Sequence, residues 1–198
     1  GLGDVYKRQL NMLTILTMDP MFGTLLGYTE EELKHYFKGY LDRACEVLNC
    51  SEEDLLLQLR TNYDGFCFDE DASTHVYAPW STLNFLNRPS RGFQNYWYES
   101  AGNPTALQQY LKSHSLREPK DYFKPKFVSI PVLQATATDT AHVDDLVLLT
   151  QAGYLAIKEV GTDSFLVGYP NKEVADSLAW LYRDKLLSSQ SVDQLGAM

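Results

Sequence analysis

The segment 142–198 runs through helix, strand and helix patterns in an order that restricts the fold more than any other feature of this sequence. A first helix is predicted to end at Gly153, because glycine commonly follows the last helical residue. Residues 154–160 and 165–169 predict two strands joined by a short polar hairpin turn. Asn171 then predicts the cap of a last helix. Helix, hairpin and helix are the composition of a winged-helix-like module, whose topology the sequence does not fix.

Capping signals and hydrophobic spacing predict that residues 10–114 form a helical module. Thr29 begins a Thr-Glu-Glu-Glu capping box, and apolar residues at helical spacing continue from it to about Asn49. Ser51 predicts the cap of the following helix, and Pro79 is placed to open another. Between these two helices, an Asp-Gly pair predicts a tight turn.

Residues 115–141 predict a linker between the two modules. Three prolines, Pro119, Pro125 and Pro131, interrupt regular structure there, and a small polar run follows them. A short strand is predicted at 127–130 within the linker. The predicted fold class is therefore mainly α with a small β-hairpin, in which a helical module precedes a winged-helix-like module.

The charge and composition of the chain argue against several functional classes. A net charge of −9 disfavours general binding to nucleic acid, which needs clustered lysine and arginine. No apolar run reaches the roughly 18 residues that a membrane span requires, so no membrane association is predicted. The three cysteines lack CxxC spacing, which is typical of a reduced, cytoplasmic compartment, and the four scattered histidines predict no metal site.

No motif in the sequence predicts catalysis by this chain. The GxxxxGK[ST] loop that holds a nucleotide phosphate does not occur. The segment 66–70 resembles a Walker B strand, but it follows the Asp-Gly turn, so a turn with solvated acidic residues is expected there. Glu118-Pro119-Lys120 has the ExK spacing of restriction-type nucleases, but the central proline would remove a hydrogen bond from the strand that presents these side chains.

The first nine residues are expected not to belong to the natural protein. The chain begins with Gly1, and residues 4–9 read Asp-Val-Tyr-Lys-Arg-Gln, which resembles the translation of a transposon end used in preparing sequencing libraries. The segment 1–9 also lacks the character of a signal or transit peptide. It is therefore left out of the predicted fold, with an ordinary polar N-terminal tail as the alternative.

Six segments, taken in chain order, carry a resemblance to a known family. They read GYTEEEL at 27–33, YDGF at 63–66, VYAPWS at 76–81, YWYES at 96–100 with GNP at 102–104, QAGYLAIK at 151–158 and GYPN at 168–171. Together they resemble the predicted AAA-ATPase-like family of bacterial proteins, which commonly precedes a PD-(D/E)XK nuclease-like domain in the same chain. Two departures are that Ala78 stands where the family has asparagine and that the segment 131–144 matches poorly.

The resemblance implies that this chain is the C-terminal section of a P-loop ATPase, with a lid-type helical module and a regulatory role. The Walker A and B groups, with ATP and Mg²⁺, would then belong to a domain upstream of residue 10, and any nuclease carboxylates would lie downstream. No catalytic or metal-binding residue and no cofactor are expected in this chain itself. The residues that the family motifs single out are expected to be structural: Tyr63, Asp64, Gly65, Pro79, Trp97, Glu99, Gly153 and Tyr154.

Two other functions remain as alternatives. The first is a stand-alone winged-helix module that binds DNA or another protein, although the net charge and the lack of a basic helix before the hairpin weigh against DNA. The second is a complete nuclease, whose metal-dependent cleavage would depend on Glu118.

Overall fold

The computed structural model describes residues 18–100, 117–134 and 144–195. Within these ranges the chain is mostly α-helical with one small antiparallel sheet, which confirms the predicted fold class. The predictions for 1–9 and for the polar run at 135–141 lie outside the described residues, and so does the GNP string at 102–104.

Two helices of the helical part, α1 and α3, have the N-terminal caps that the sequence predicts. Its elements are α1 (Glu30–Tyr36), α2 (Lys38–Leu48), α3 (Glu52–Tyr63), α4 (Pro79–Asn87) and α5 (Trp97–Ser100), with short 3₁₀ helices at Pro20–Phe22 and Pro89–Arg91. The Thr29 hydroxyl accepts from the Glu32 amide at 3.2 Å, and the Glu32 carboxylate accepts from the Thr29 amide at 2.8 Å. Ser51 likewise caps α3 through the Asp54 amide, at 3.1 Å. Both caps form because their bonds join residues only three positions apart.

The sequence predicts a single helix from Thr29 to about Asn49. This prediction is wrong in one respect, because the structure has two helices there. Phe37 has φ −113° and ψ 15°, outside the helical region, and α2 starts afresh after it. The Phe37 ring packs on Tyr28, with 5.2 Å between ring centroids. The break redirects α2, so that Leu41 is fully buried in the same core as residues of α1 and α3.

The sheet contains the predicted hairpin and a third strand. Its strands are β1 (Lys126–Ser129), β2 (Ala156–Val160) and β3 (Ser164–Gly168), in the order β1-β3-β2, and both pairings are antiparallel. The helices α6 (Ile130–Gln134) and α7 (Asp145–Gln151) separate β1 from the hairpin, and the long helix α8 (Lys172–Leu195) follows it. The predicted cap of α8 is confirmed, because Asn171 Oδ1 accepts from the Val174 amide at 3.0 Å.

The described part of the predicted linker, residues 117–134, belongs to the folded core. It forms a 3₁₀ helix (Pro119–Phe123), the strand β1 and the helix α6, and it buries Tyr122, Val128 and Leu133. The prolines that suggested a linker stand at the starts of these elements, where a missing amide hydrogen costs nothing.

Buried polar contacts hold the start of this segment against α7. The Arg117 guanidinium forms an ion pair with Asp145, whose side chain is almost fully buried. The Tyr122 hydroxyl donates to the same carboxylate at 2.7 Å. The predicted strand at 127–130 is confirmed within one residue as β1, and Glu118 lies outside it, at the N-cap of the 3₁₀ helix.

The described residues form two hydrophobic cores. One core is formed by α1 to α4 and includes Tyr63 and Phe85. The other combines the sheet, α7 and α8 with Phe66, Cys67 and Val76 from the segment between α3 and α4. The predicted division into modules at residues 114 and 142 therefore does not separate the cores, because part of the first predicted module packs inside the second core.

Candidate functional site

The end of α3, the strand β2 and the start of α8 meet in a contact that we call the Asp64 joint: Asp64, Gly65, Lys158, Pro170 and Asn171. Asn171 donates from Nδ2 to the Asp64 carbonyl oxygen at 2.8 Å. Lys158 donates from Nζ to the carbonyl oxygens of Pro170 at 3.2 Å and Gly65 at 3.4 Å. Gly65 has φ +92°, a conformation that favours glycine, and its missing side chain allows the Pro170 carbonyl to approach closely.

Two half-buried charged side chains lie in the Asp64 joint. Burial raises the pKa of Asp64, opposed by a bond from the Gly65 amide and by the charges of His75 and Lys158. Burial lowers the pKa of Lys158, and the Asp64 charge opposes that shift. Asp64 Oδ1 is buried without a hydrogen-bond partner among the described residues. The two side chains therefore compensate each other's desolvation, which is a structural use of the pair.

A cavity of about 620 Å³ opens beside the joint. Aromatic rings of Tyr122, Phe123 and Tyr169 line it, together with Lys158. The Tyr169 hydroxyl donates to the Pro119 carbonyl at 2.8 Å, and the Tyr122 hydroxyl is bound to Asp145. Both hydroxyl groups are therefore already engaged within the fold.

A second group of motif residues meets at the start of α5. The Trp97 ring stacks on Phe66 with 5.1 Å between ring centroids and 28° between ring planes. Gly153, with φ +79°, ends α7 beneath it, and a Cβ there would lie 3.1 Å from the Trp97 ring. Tyr154 follows in the core with 2% of its surface exposed. In these contacts Trp97, Gly153 and Tyr154 serve as packing residues.

A buried carboxylate, which the sequence did not single out, fixes this segment to α8. We call its surroundings the Glu173 contact: Ser81, Tyr96, Trp97 and Glu173. Glu173 is 3% exposed, and its Oε1 accepts from the Tyr96 amide at 2.6 Å and the Trp97 amide at 2.9 Å. The Ser81 hydroxyl lies near the carboxylate, but neither it nor Oε2 has hydrogen-bond geometry with any described residue.

The Glu173 carboxyl is strongly perturbed by its environment. Burial raises its pKa to about 7, although the two amides and the Ser81 hydroxyl favour the charged form. In the sequence, Glu173 is an acidic residue in the first turn of a helix, a position that usually needs no explanation beyond the helix dipole. Only the packing of Tyr96 and Trp97 on α8 reveals the different role.

The remaining motif residues also have structural surroundings. Tyr63 is fully buried, and its hydroxyl donates to the Gln94 carbonyl at 2.9 Å. Pro79 is the first residue of α4, as predicted, and the preceding Ala78 provides no side-chain cap. Glu99 lies in α5, and its side chain is outside the described part of the structure.

The turn that resembles a Walker B strand differs from the prediction in one residue. Asp69 was expected to be solvated, but it is fully buried. Its carboxylate accepts from the amides of Ser73 at 2.9 Å, Asp71 at 3.1 Å and Thr74 at 3.2 Å. Burial raises the pKa of Asp69, but hydrogen bonds from the Ser73 and Thr74 amides and from the Ser73 and Cys67 side chains outweigh burial and lower it overall. Asp69 therefore shapes its own loop.

The described ranges contain neither a metal-binding group of side chains nor a membrane-spanning helix. In residues 18–100, 117–134 and 144–195, no three or more His, Cys, Asp or Glu side chains are grouped so that they could hold a metal ion. No described helix combines the length and apolar character needed to cross a membrane.

Asn171 makes two hydrogen bonds, one that caps α8 and one to the Asp64 carbonyl. Two variants measure their separate contributions to stability. Asn171→Ala removes the helix cap and the bond to Asp64, and is expected to lower the free energy of unfolding by about 2 kcal/mol. Asn171→Ser keeps a capping oxygen and loses only the bond to Asp64, so about 1 kcal/mol is expected. Urea denaturation measures both values. An Asn171→Ser variant as stable as the unchanged chain would show that the bond to Asp64 adds no stability.

Comparisons with known proteins give one relative. The chain is 28% identical over 175 residues to a protein of Azotobacter chroococcum mcd 1 described as "Uncharacterized protein in vnfD 5'region". The match covers 85% of this chain and 30% of the relative, so the chain spans less than a third of that protein's length. No family model matches the chain, and no solved structure matches it.

Proposed function

We propose that this chain is the lid and regulatory section of a larger AAA-ATPase-like protein and has no catalytic residues of its own. The observation that carries the proposal is the convergence of the family-like segments on two structural contacts. Segments 63–66 and 168–171 form most of the Asp64 joint, and Trp97 stacks on Phe66 and meets Gly153. These contacts connect the helical part to the sheet and α8. A section that transmits movement between domains requires such rigid connections.

In this proposal, nucleotide binding and any nuclease activity belong to other parts of the parent protein. ATP and Mg²⁺ bind to a P-loop domain upstream of this section, and a nuclease-like domain can follow it. The similarity to a relative more than three times as long as the matched segment supports a place within a longer protein. The section acts in the cytoplasm, a reducing compartment that fits its free cysteines.

An exposed apolar segment offers a docking surface for the upstream domain. Met21, Leu25 and Leu26 have 82%, 71% and 63% of their surfaces exposed. In the sequence they follow residues 10–20, whose string LNMLTILTMDP resembles the family's stretch just after the last strand of its P-loop domain. Exposed apolar side chains concentrated in one short segment are typical of contact with a partner surface.

The order β1, α6, α7, β2 and β3 supports a winged-helix-like arrangement of the second part. The same helices weigh against the alternative of DNA binding. The helix before the hairpin, α7, contains no lysine or arginine, and it buries the five residues from Asp145 to Leu149. A helix that reads DNA must present its side chains to the groove, so contact with protein is the better-supported use.

The exposed apolar segment provides a test in the natural protein with its upstream sequence. Changing Met21, Leu25 and Leu26 together to serine is expected to change the rate of ATP hydrolysis by about tenfold, because the lid loses its contact with the ATPase domain. Leu57→Ser, at a residue 58% exposed on α3, is the matched control and should leave the rate unchanged.

Two outcomes would contradict the proposal. One is an upstream sequence without a GxxxxGK[ST] loop after a strand. The other is binding of ATP with Mg²⁺ to the 198-residue chain alone, measured by titration calorimetry.

A further inference from the structure

The end of α2 has a backbone geometry that brings two cysteines together. Asn49 adopts the left-handed conformation, with φ 51° and ψ 50°. Its amide donates to the Glu46 carbonyl at 3.4 Å, and the Cys50 amide donates to the Cys45 carbonyl at 3.1 Å. These two bonds define a Schellman motif, in which the residue after the left-handed position commonly contacts the side chain of the residue five positions earlier. Here those two residues are Cys50 and Cys45.

The side chains of this pair are accessible and interact with each other. Both are free thiols and both are partly exposed. Burial raises the pKa of Cys45, and its contact with the Cys50 thiol raises it further. The third cysteine, Cys67, is buried and donates to the Asp69 carbonyl at 3.6 Å. Burial raises the pKa of Cys67 to about 11, so it has little of the reactive thiolate and provides an internal control.

We propose that Cys45 and Cys50 form a redox modification site, in which the two thiols are converted reversibly to a disulfide by a small-molecule disulfide of the glutathione type. This inference is independent of the proposed function, because it depends only on the cap of α2.

The disulfide forms in two steps of thiol–disulfide exchange. The thiolate of Cys50 attacks one sulfur of glutathione disulfide, forms a mixed disulfide and releases one glutathione thiolate. The thiolate of Cys45 then attacks the Cys50 sulfur and releases the second glutathione. The two protein thiols lose two electrons and two protons, and the oxidant becomes two glutathione thiols. Cys50 reacts first because burial disfavours the Cys45 thiolate.

The disulfide would fix the connection between two helices of the helical core. Cys50 directly precedes Ser51, the N-cap of α3, and Cys45 lies in the last turn of α2. A covalent bond between them closes the Schellman motif and holds the start of α3 against the end of α2. The oxidised chain should therefore be more resistant to thermal unfolding than the reduced chain.

The test uses the native 198-residue chain in buffers of increasing glutathione disulfide content. We expect the intact mass to fall by two hydrogen atoms, peptide mapping to join Cys45 to Cys50, and dithiothreitol to restore the original mass. The midpoint of thermal unfolding should rise by about 4 °C on oxidation. Cys67→Ser should behave in the same way as the unchanged chain.

Cys45→Ser distinguishes a disulfide site from a merely exposed thiol. Without the second thiol, this variant should accumulate a stable mixed disulfide at Cys50, and circular dichroism checks that it remains folded. Cys50→Ser is the second variant and should resist oxidation. A stable mixed disulfide in the unchanged chain, a bond to Cys67, disulfide-linked dimers, or oxidation only in denaturant would each overturn the proposal.

Discussion

Gly65→Ala is expected to lower the free energy of unfolding by about 3 kcal/mol. The added Cβ would lie 3.0 Å from the Pro170 carbonyl carbon and closer still to its oxygen. These are backbone atoms, so no rotation of a side chain relieves the clash. The residue would also have to hold φ +92°, which side chains other than glycine rarely adopt. Either the Asp64 joint opens or the start of α8 shifts.

Gly39→Ala is the matched control for this change. Gly39 lies in α2, and a Cβ there would meet no atom within 4 Å. Alanine should therefore stabilise the chain by about 0.5 to 1 kcal/mol, because it favours the helix more than glycine does. Urea denaturation of the two variants should give shifts of opposite sign. A Gly65→Ala variant with unchanged stability would show that the joint is not closely packed.

Stability is expected to fall as the pH rises from about 4.5 through 7, because Glu173 becomes charged in its buried position. The pKa of Glu173 is about 7 in the folded chain, against an ordinary value of 4.5. Between these values the folded state holds a proton that the unfolded state has lost, so each increase in pH favours unfolding. The full loss corresponds to roughly 3 kcal/mol. The stabilisation is complete below pH 4.5 and is lost above pH 7.

Other titrating groups can be separated from this effect. The pKa of Glu30 is lowered to about 2, mainly by its bond to Arg60, so its contribution is lost only as the pH falls below 4.5. Burial raises the pKa of Tyr63, the titrating side chain on α3 that senses Glu173, so Tyr63 stays neutral throughout the window. Asp64 shifts in the same direction as Glu173, and only a substitution at Glu173 distinguishes them.

Glu173→Gln isolates the carboxyl. The amide oxygen of glutamine can still accept from the Tyr96 and Trp97 amides, but it carries no charge. Unfolding free energies measured from pH 5 to 8 should lose most of their slope in this variant, and at pH 8 it should be more stable than the unchanged chain. Glu53→Gln, at an exposed residue of α3, should retain the slope. A slope that persists in Glu173→Gln would assign the pH dependence to another group.

The candidate site was only partly predictable from the sequence. The family-like strings singled out Asp64, Gly65, Trp97 and Gly153, and the structure places each of them in a packing contact. The strings could not show which of them touch each other. Glu173 lies outside these strings, and its acidic character is ordinary for the first turn of a helix.

The caps and turns of the fold follow from the neighbouring sequence alone. The caps at Thr29, Ser51 and Asn171, the start of α4 at Pro79 and the hairpin all lie where the sequence placed them. Their hydrogen bonds and dihedral preferences involve residues a few positions apart, so the neighbouring sequence specifies them.

Three features could not be predicted from the sequence and follow from tertiary packing. They are the break at Phe37, the burial of the segment predicted as a linker, and the role of Glu173. The last two depend on contacts between separate segments: Tyr122 of the linker segment binds Asp145, 23 positions away, and Glu173 binds the Trp97 amide, 76 positions away. Burial changes the structural role of a proline or a carboxylate. A polar group that is solvated in a turn must find fixed hydrogen-bond partners in a core. The sequence encodes those partners, but their meeting depends on how all the elements pack together.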